Sequence, residues 1–140
     1  MLEAQYYKHD EPNTLLTSGG LGTMGFSLPA AIGASFTNRD KDIWVIVGDG
    51  SIQMTITELA TAVQENSNIK VAIINNGYLG MVRQWQQLFY DSRYSETPIS
   101  SPDYVKLSEA YGLKGYRVHS RNEISDTIKK VQKNQWTFFN

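Results

Sequence analysis

At 140 residues the chain has the size of one ordinary domain, able to bury roughly two-thirds of its unfolded surface. Its 13 basic and 14 acidic residues nearly cancel, to a formal charge of −1, and form no cationic block, which argues against nucleic acid or an anionic membrane as a partner. The absence of cysteine excludes disulfides and thiolate chemistry, no apolar run reaches the roughly 18 residues of a membrane span, and the opening "MLEAQYYKHDEP" lacks a signal-peptide pattern, so a cytoplasmic location is expected.

The first predicted element is a strand over "TLLTS", residues 14–18. After it, "SGGLGTMGFSLPAA" places Gly20, Gly22 and Gly25 in a G-x-G-x-x-G pattern, with Asp49 24 residues beyond Gly25, as in a dinucleotide-binding turn. That pattern needs a helix starting near its second glycine, and Pro29 would fall seven residues into such a helix, removing a hydrogen bond and clashing. The proline therefore places the helix later and leaves "TMGF" as an extended loop. Met24 on that loop is either core filler or an apolar prop under a bound ring.

"DIWVIVGD" and "IKVAIINN" follow as strands buried on both faces, and each ends in a small polar cluster. At Asp49-Gly50-Ser51 the amides of Gly50 and Ser51 suit an anion and the carboxylate suits a hard cation. Asn76 adds a neutral oxygen from the neighbouring strand, and Gly77 lets the next carbonyl turn inward. One carboxylate, one amide oxygen and one backbone carbonyl suit Mg²⁺ that takes its other ligands from a diphosphate and water. Asp-Gly and Asn-Gly are ordinary turn formers when taken singly. Two such clusters at matching carboxyl ends of strands, where open α/β sheets bind ligands, favour a site.

Thr55 and Glu58 form a predicted capping box before the helix "LATAVQEN". Met81, Trp85, Leu88 and Phe89 recur at helical spacing, the pattern of a buried helix face, and Leu88 and Phe89 are expected to be buried there. "FYDSRYSETP" then reads as a polar, turn-forming flap. Ser101-Pro102 opens the helix "DYVKLSEAY", Gly112 stops it, and "KGYRV" is a fourth strand. Ser120 and Glu123 form a second capping pair ahead of Ile124, Ile128 and Val131. His9 and His119 have no partner at ligand spacing and are placed on the surface. Strand alternating with helix predicts an α/β domain over 1–140, with an open, mostly parallel sheet and helices on both faces.

The spacing from Gly48-Asp49-Gly50-Ser51 to Asn75-Asn76 matches the thiamine diphosphate signature. Together with "TSGGLGTMGFSLPAAIGA" and "NNGYLGMVRQWQQLFYDSRYS", the chain resembles the catalytic subunit of acetolactate synthase, a transferase of branched-chain amino acid biosynthesis. The resemblance implies the thiamine diphosphate-binding domain, last of three, with Mg²⁺ held by the side chains of Asp49 and Asn76 and the main-chain oxygen of Tyr78. It implies Gly50, Ser51 and Gly80 near the cofactor, Gly22 accepting from its aminopyrimidine, Met24 propping its bent shape, and Met81 and Trp85 lining the substrate channel. Pyruvate and 2-oxobutyrate are the implied substrates. FAD, an activating glutamate and the N-terminal domains would lie elsewhere in a homodimeric enzyme with a possible regulatory subunit. Two departures stand at the ends. Met1-Leu2-Glu3 replaces a glycine-glutamine-histidine segment, and "NQWTFFN" replaces a final strand, so a fragment without its last strand is expected. Another thiamine diphosphate-dependent 2-oxo acid decarboxylase or carboligase, or a standalone nucleotide-binding module, remains as the alternative.

Overall fold

A computed structural model describes residues 2–134 and 137–139 of the chain. Four parallel strands, β1 (Ile43–Gly48), β2 (Ile69–Ile74), β3 (Lys114–Tyr116) and β4 (Thr137–Phe139), form one open sheet in the order β1-β2-β4-β3. The register sets Val45 beside Val71 and Val47 beside Ile73. Because side chains alternate across a strand, these valines and isoleucines share one face. They are buried there with Leu28, Ala31 and Ile32 of α2 (Ser27–Thr37), Leu59 and Ala62 of α4 (Leu59–Gln64), Ile52 of the short α3 (Asp49–Gln53), and Tyr104 of α6 (Tyr104–Ala110). On the opposite face α7 (Ile124–Gln132) packs against β4, and the Thr137 hydroxyl donates to the Val131 carbonyl at 3.4 Å. Helices therefore lie on both faces, as the alternation of elements predicts, but on this second face Ile46 of β1 and Ile74 of β2 stay exposed, so β1 is not buried on both faces as expected. Among the described residues the remaining α-helices are the N-terminal α1 (Leu2–Tyr6) and α5 (Gly80–Phe89), and short 3-10 helices at Ile56–Glu58 and Arg121–Glu123 lead into α4 and α7.

Two expected elements differ. "TLLTS" is not a strand: β1 is paired to β2 alone, no described segment takes its free edge, and Leu15 and Leu16 lie exposed. An extended run becomes a strand only where a neighbour completes its ladder. Conversely, the last strand is present. Thr137–Phe139 lies between β2 and β3 and pairs with both, so a three-residue stretch suffices where two neighbours supply hydrogen bonds. Gln135, Trp136 and Asn140 lie outside the described residues.

The helix after the glycine loop starts at Ser27, which puts Pro29 in its first turn, where no intrahelical N–H partner is required. α6 is capped by Asp103, whose carboxylate accepts from the Val105 and Lys106 amides at 3.1 and 3.3 Å, rather than by Ser101-Pro102. It stops at Gly112, as expected. Ser120 and Glu123 meet without closing the expected capping box: Glu123 accepts the His119 amide and the Ser120 hydroxyl at 3.0 and 2.9 Å, which hold its carboxyl below the ordinary range, and the Ser120 hydroxyl caps no amide of the helix. Within β2 the buried Lys70 is compensated by Asn68 at 2.6 Å and Asp42 at 3.4 Å. Among the described residues no helix is long and apolar enough to cross a membrane.

Candidate functional site

β1 ends at Gly48, and Asp49 opens α3 directly. Its side chain is 1 % exposed, and Oδ2 accepts the Gly77 amide at 2.8 Å and the Ser101 hydroxyl at 3.2 Å. The Asp49 carbonyl accepts from the Tyr104 hydroxyl at 3.1 Å and from Gln53 Nε2 at 3.3 Å. Burial pushes the Tyr104 phenol above its usual value, and the nearby Asp49 charge acts in the same direction.

The second cluster follows β2. Asn75 and Asn76 are exposed, and Asn76 Oδ1 accepts the Tyr78 amide at 2.9 Å, a local turn that asparagine favours. Because Gly77 lies between Asn76 and Tyr78 and donates to Asp49, the two strand-end clusters meet in one place. Residues 77–79 also pair with 97–99, through the Leu79 amide on the Thr97 carbonyl at 2.8 Å and the Ile99 amide on the Gly77 carbonyl at 2.9 Å. Among the described residues the Tyr78 carbonyl accepts no hydrogen bond.

The glycine loop folds over the same turn. Gly25 has φ +82°, its amide donates to Ser51 Oγ at 2.9 Å, and its carbonyl accepts the Thr55 hydroxyl at 2.9 Å. Thr55 thus ties down the loop instead of closing a capping box. A Cβ on Gly50 would stand 3.0 Å from the side chains of Ile99 and Leu79 and 3.6 Å from the Met24 methyl, so Met24 reaches the Asp49-Gly50 turn. Met24 is itself 42 % exposed and so is not core filler. Gly22 lies exposed on the loop with φ +63°.

α5 departs from expectation. Gly80 begins it, but Leu88 and Phe89, expected to be buried, are 65 and 73 % exposed, and Met81 and Trp85 are exposed beside them. The apolar stripe is real, yet among the described residues nothing packs on it. The helix is anchored through its polar side chains. Arg83 stacks on the rings of Tyr78 and Tyr94 at 4.0 and 5.1 Å, and Gln86 exchanges two hydrogen bonds with the Ser95 backbone at 2.9 and 3.0 Å. These contacts tie the predicted flap to α5. His9, paired with Glu3 at 3.0 Å, and His119 lie on the surface away from the site.

Sequence reasoning missed Ser101, Tyr104 and Gln53. Ser101 lies 52 residues from Asp49, and its neighbour Pro102 suggests only a helix start.

Residues 1–139 match the family described as thiamine pyrophosphate enzyme, C-terminal TPP binding domain. The chain is 50 % identical over 137 residues to an acetolactate synthase of Mycobacterium leprae, covering 94 % of this chain and 22 % of the relative. It is 49 % identical over 130 residues to the mitochondrial acetolactate synthase catalytic subunit of Saccharomyces cerevisiae, covering 93 % of this chain and 19 % of that protein. Among solved structures it resembles a thiamine diphosphate-dependent 4-hydroxybenzoylformate decarboxylase of Rhodococcus jostii, with TM-score 0.76 and 29 % identity over 84 % of this chain and 22 % of that one. The chain therefore spans about a fifth of the length of these relatives. By the match over nearly its whole length, the chain belongs to the thiamine pyrophosphate enzymes as a C-terminal TPP-binding domain, of the sequence type found in acetolactate synthases.

Proposed function

We propose that the turn joining Asp49, Asn76 and Tyr78 holds Mg²⁺ and the diphosphate of thiamine diphosphate, within an enzyme that joins pyruvate to a second pyruvate or to 2-oxobutyrate with loss of carbon dioxide. The observation that carries this reading is the Gly77 amide on Asp49 Oδ2. It brings a buried carboxylate, an amide side chain and an unbonded backbone carbonyl to two neighbouring strand ends, and that donor set fits a magnesium ion whose other ligands are phosphate and water. A dinucleotide site would leave Asn76 without a task.

When bound, the cofactor supplies an electron-rich carbon that no side chain provides. The protein's part is to place it. The Gly50 and Ser51 amides lie in the first turn of α3, where they have no intrahelical acceptor, and face the anion. The Gly22 carbonyl accepts from the aminopyrimidine, Met24 supports the ring, and Gly80 keeps the helix start close to the cofactor. Met81 and Trp85 line the substrate channel, with Trp85 favouring the larger second substrate. The glutamates offer no plausible proton relay to the aminopyrimidine: Glu58, Glu65, Glu109 and Glu123 lie on helices or their ends, Glu3 and Glu11 precede the glycine loop, and Glu96 lies in the flap. That acid, FAD, a second subunit and any regulatory subunit belong to the larger enzyme, and the chain alone makes no acetolactate.

Titration of the chain with thiamine diphosphate, with and without Mg²⁺ and again with Asn76→Ala, tests the reading. Metal-dependent binding that Asn76→Ala weakens is expected. Binding of NADH without a metal effect would favour the nucleotide module instead.

A further inference from the structure

The segment from Ser95 to Tyr104 is fastened to the site along its length. Ser95 is held by Gln86, Thr97 and Ile99 by the 77–79 backbone, and the Ser100 carbonyl by Gln53 Nε2 at 3.2 Å. It ends in two contacts with one residue. The Ser101 hydroxyl donates to Asp49 Oδ2, and the Tyr104 hydroxyl donates to the Asp49 carbonyl from a fully buried position.

An ionised carboxylate offers about four lone-pair directions on two oxygens. Here Oδ2 is occupied by Gly77 and Ser101, whereas among the described residues Oδ1 accepts nothing. Two donors on one oxygen stop the carboxylate from rotating about its Cβ–Cγ bond. The Tyr104 and Gln53 bonds fix the backbone that carries it. We infer that Ser101, supported by Tyr104, is a positioning residue that holds Asp49 Oδ2 so that Oδ1 is presented to the divalent cation. Outer-shell donors of this kind orient a metal ligand and tune its affinity without touching the ion. The inference rests on the metal site proposed above.

Calorimetric titration of Mg²⁺ into the full chain, with thiamine diphosphate present, tests it. Ser101→Ala is expected to weaken Mg²⁺ about tenfold, with little change in the metal-free melting temperature. The isosteric pair Ser101→Thr and Ser101→Val separates hydroxyl from shape: the threonine variant keeps most of the affinity and the valine variant loses it. That pair decides the matter even if Ser101→Ala fails to fold. Equal Mg²⁺ affinity for the threonine and valine variants, with Asp49→Asn abolishing binding, overturns the role of Ser101 and leaves the metal site standing. Mg²⁺-dependent binding that survives Asp49→Asn, or its absence from the unsubstituted chain, overturns the metal site and the inference with it.

Discussion

The Gly77 amide, just past β2, donates to the Asp49 carboxylate at the end of β1 over 2.8 Å, so the two strand ends are joined through a side chain as well as through the sheet. Asp49→Asn keeps an acceptor oxygen for that amide and removes the charge. It should therefore change metal-free stability by no more than about 1 kcal/mol while removing metal-dependent diphosphate binding. Asp49→Ala strands the Gly77 and Ser101 donors and should cost about 1–3 kcal/mol. Denaturant unfolding of both variants checks this, and equal stability for the two would contradict the hydrogen-bond arrangement.

Gly25 should tolerate no side chain. Alanine there carries about 1–2 kcal/mol of left-handed strain, and its Cβ would stand 2.9 Å from Thr55 Cγ2 and 3.2 Å from Met54 Cβ. Gly25→Ala is expected to lower the melting temperature and to shift Met24 away from the Gly50 turn, weakening thiamine diphosphate binding. A variant that melts and binds like the unsubstituted chain would show that the loop is not held at Gly25.

The two faces of apolar helix residue separate cleanly by mutation. Leu59, fully buried in α4, should cost about 2–5 kcal/mol when replaced by alanine. Leu88, exposed on α5, should change stability by no more than about 0.5 kcal/mol. Urea midpoints measure both. A Leu88→Ala loss comparable to that of Leu59→Ala would place the α5 stripe in a packed interface.

Acid should weaken the α6 cap. The Lys106 amide, assisted by Arg117 and the Val105 amide, holds the Asp103 carboxyl below its ordinary value of 3.8. A lowered folded-state pKa means that the native state binds fewer protons than the unfolded chain in the acid range. The contribution is thus complete above the unfolded value and is lost as pH falls through the folded one. Asp103→Ala should melt below the unsubstituted chain at pH 7, and the gap should close below about pH 3.8. A gap independent of pH would remove the charge from the explanation.

Read alone, the chain determined most of what depends on local pattern. Apolar runs ending in Asp49 and Asn76 located β1 and β2 and the polar groups at their carboxyl ends, and Pro29 delayed α2 to Ser27, because periodicity and proline geometry act over a few residues. Tertiary structure decided whatever needed a distant partner. "TLLTS" found no ladder, whereas Thr137–Phe139 found two. Thr55 turned from its own helix to Gly25, and Leu88 and Phe89 stayed exposed because an amphipathic stripe specifies a face without supplying what covers it. Ser101 and Tyr104 reach Asp49 across 52 and 55 residues. No local spacing encodes such contacts, since only the packing of α6 beneath the sheet and the pairing of 97–99 with 77–79 bring those hydroxyls to that aspartate.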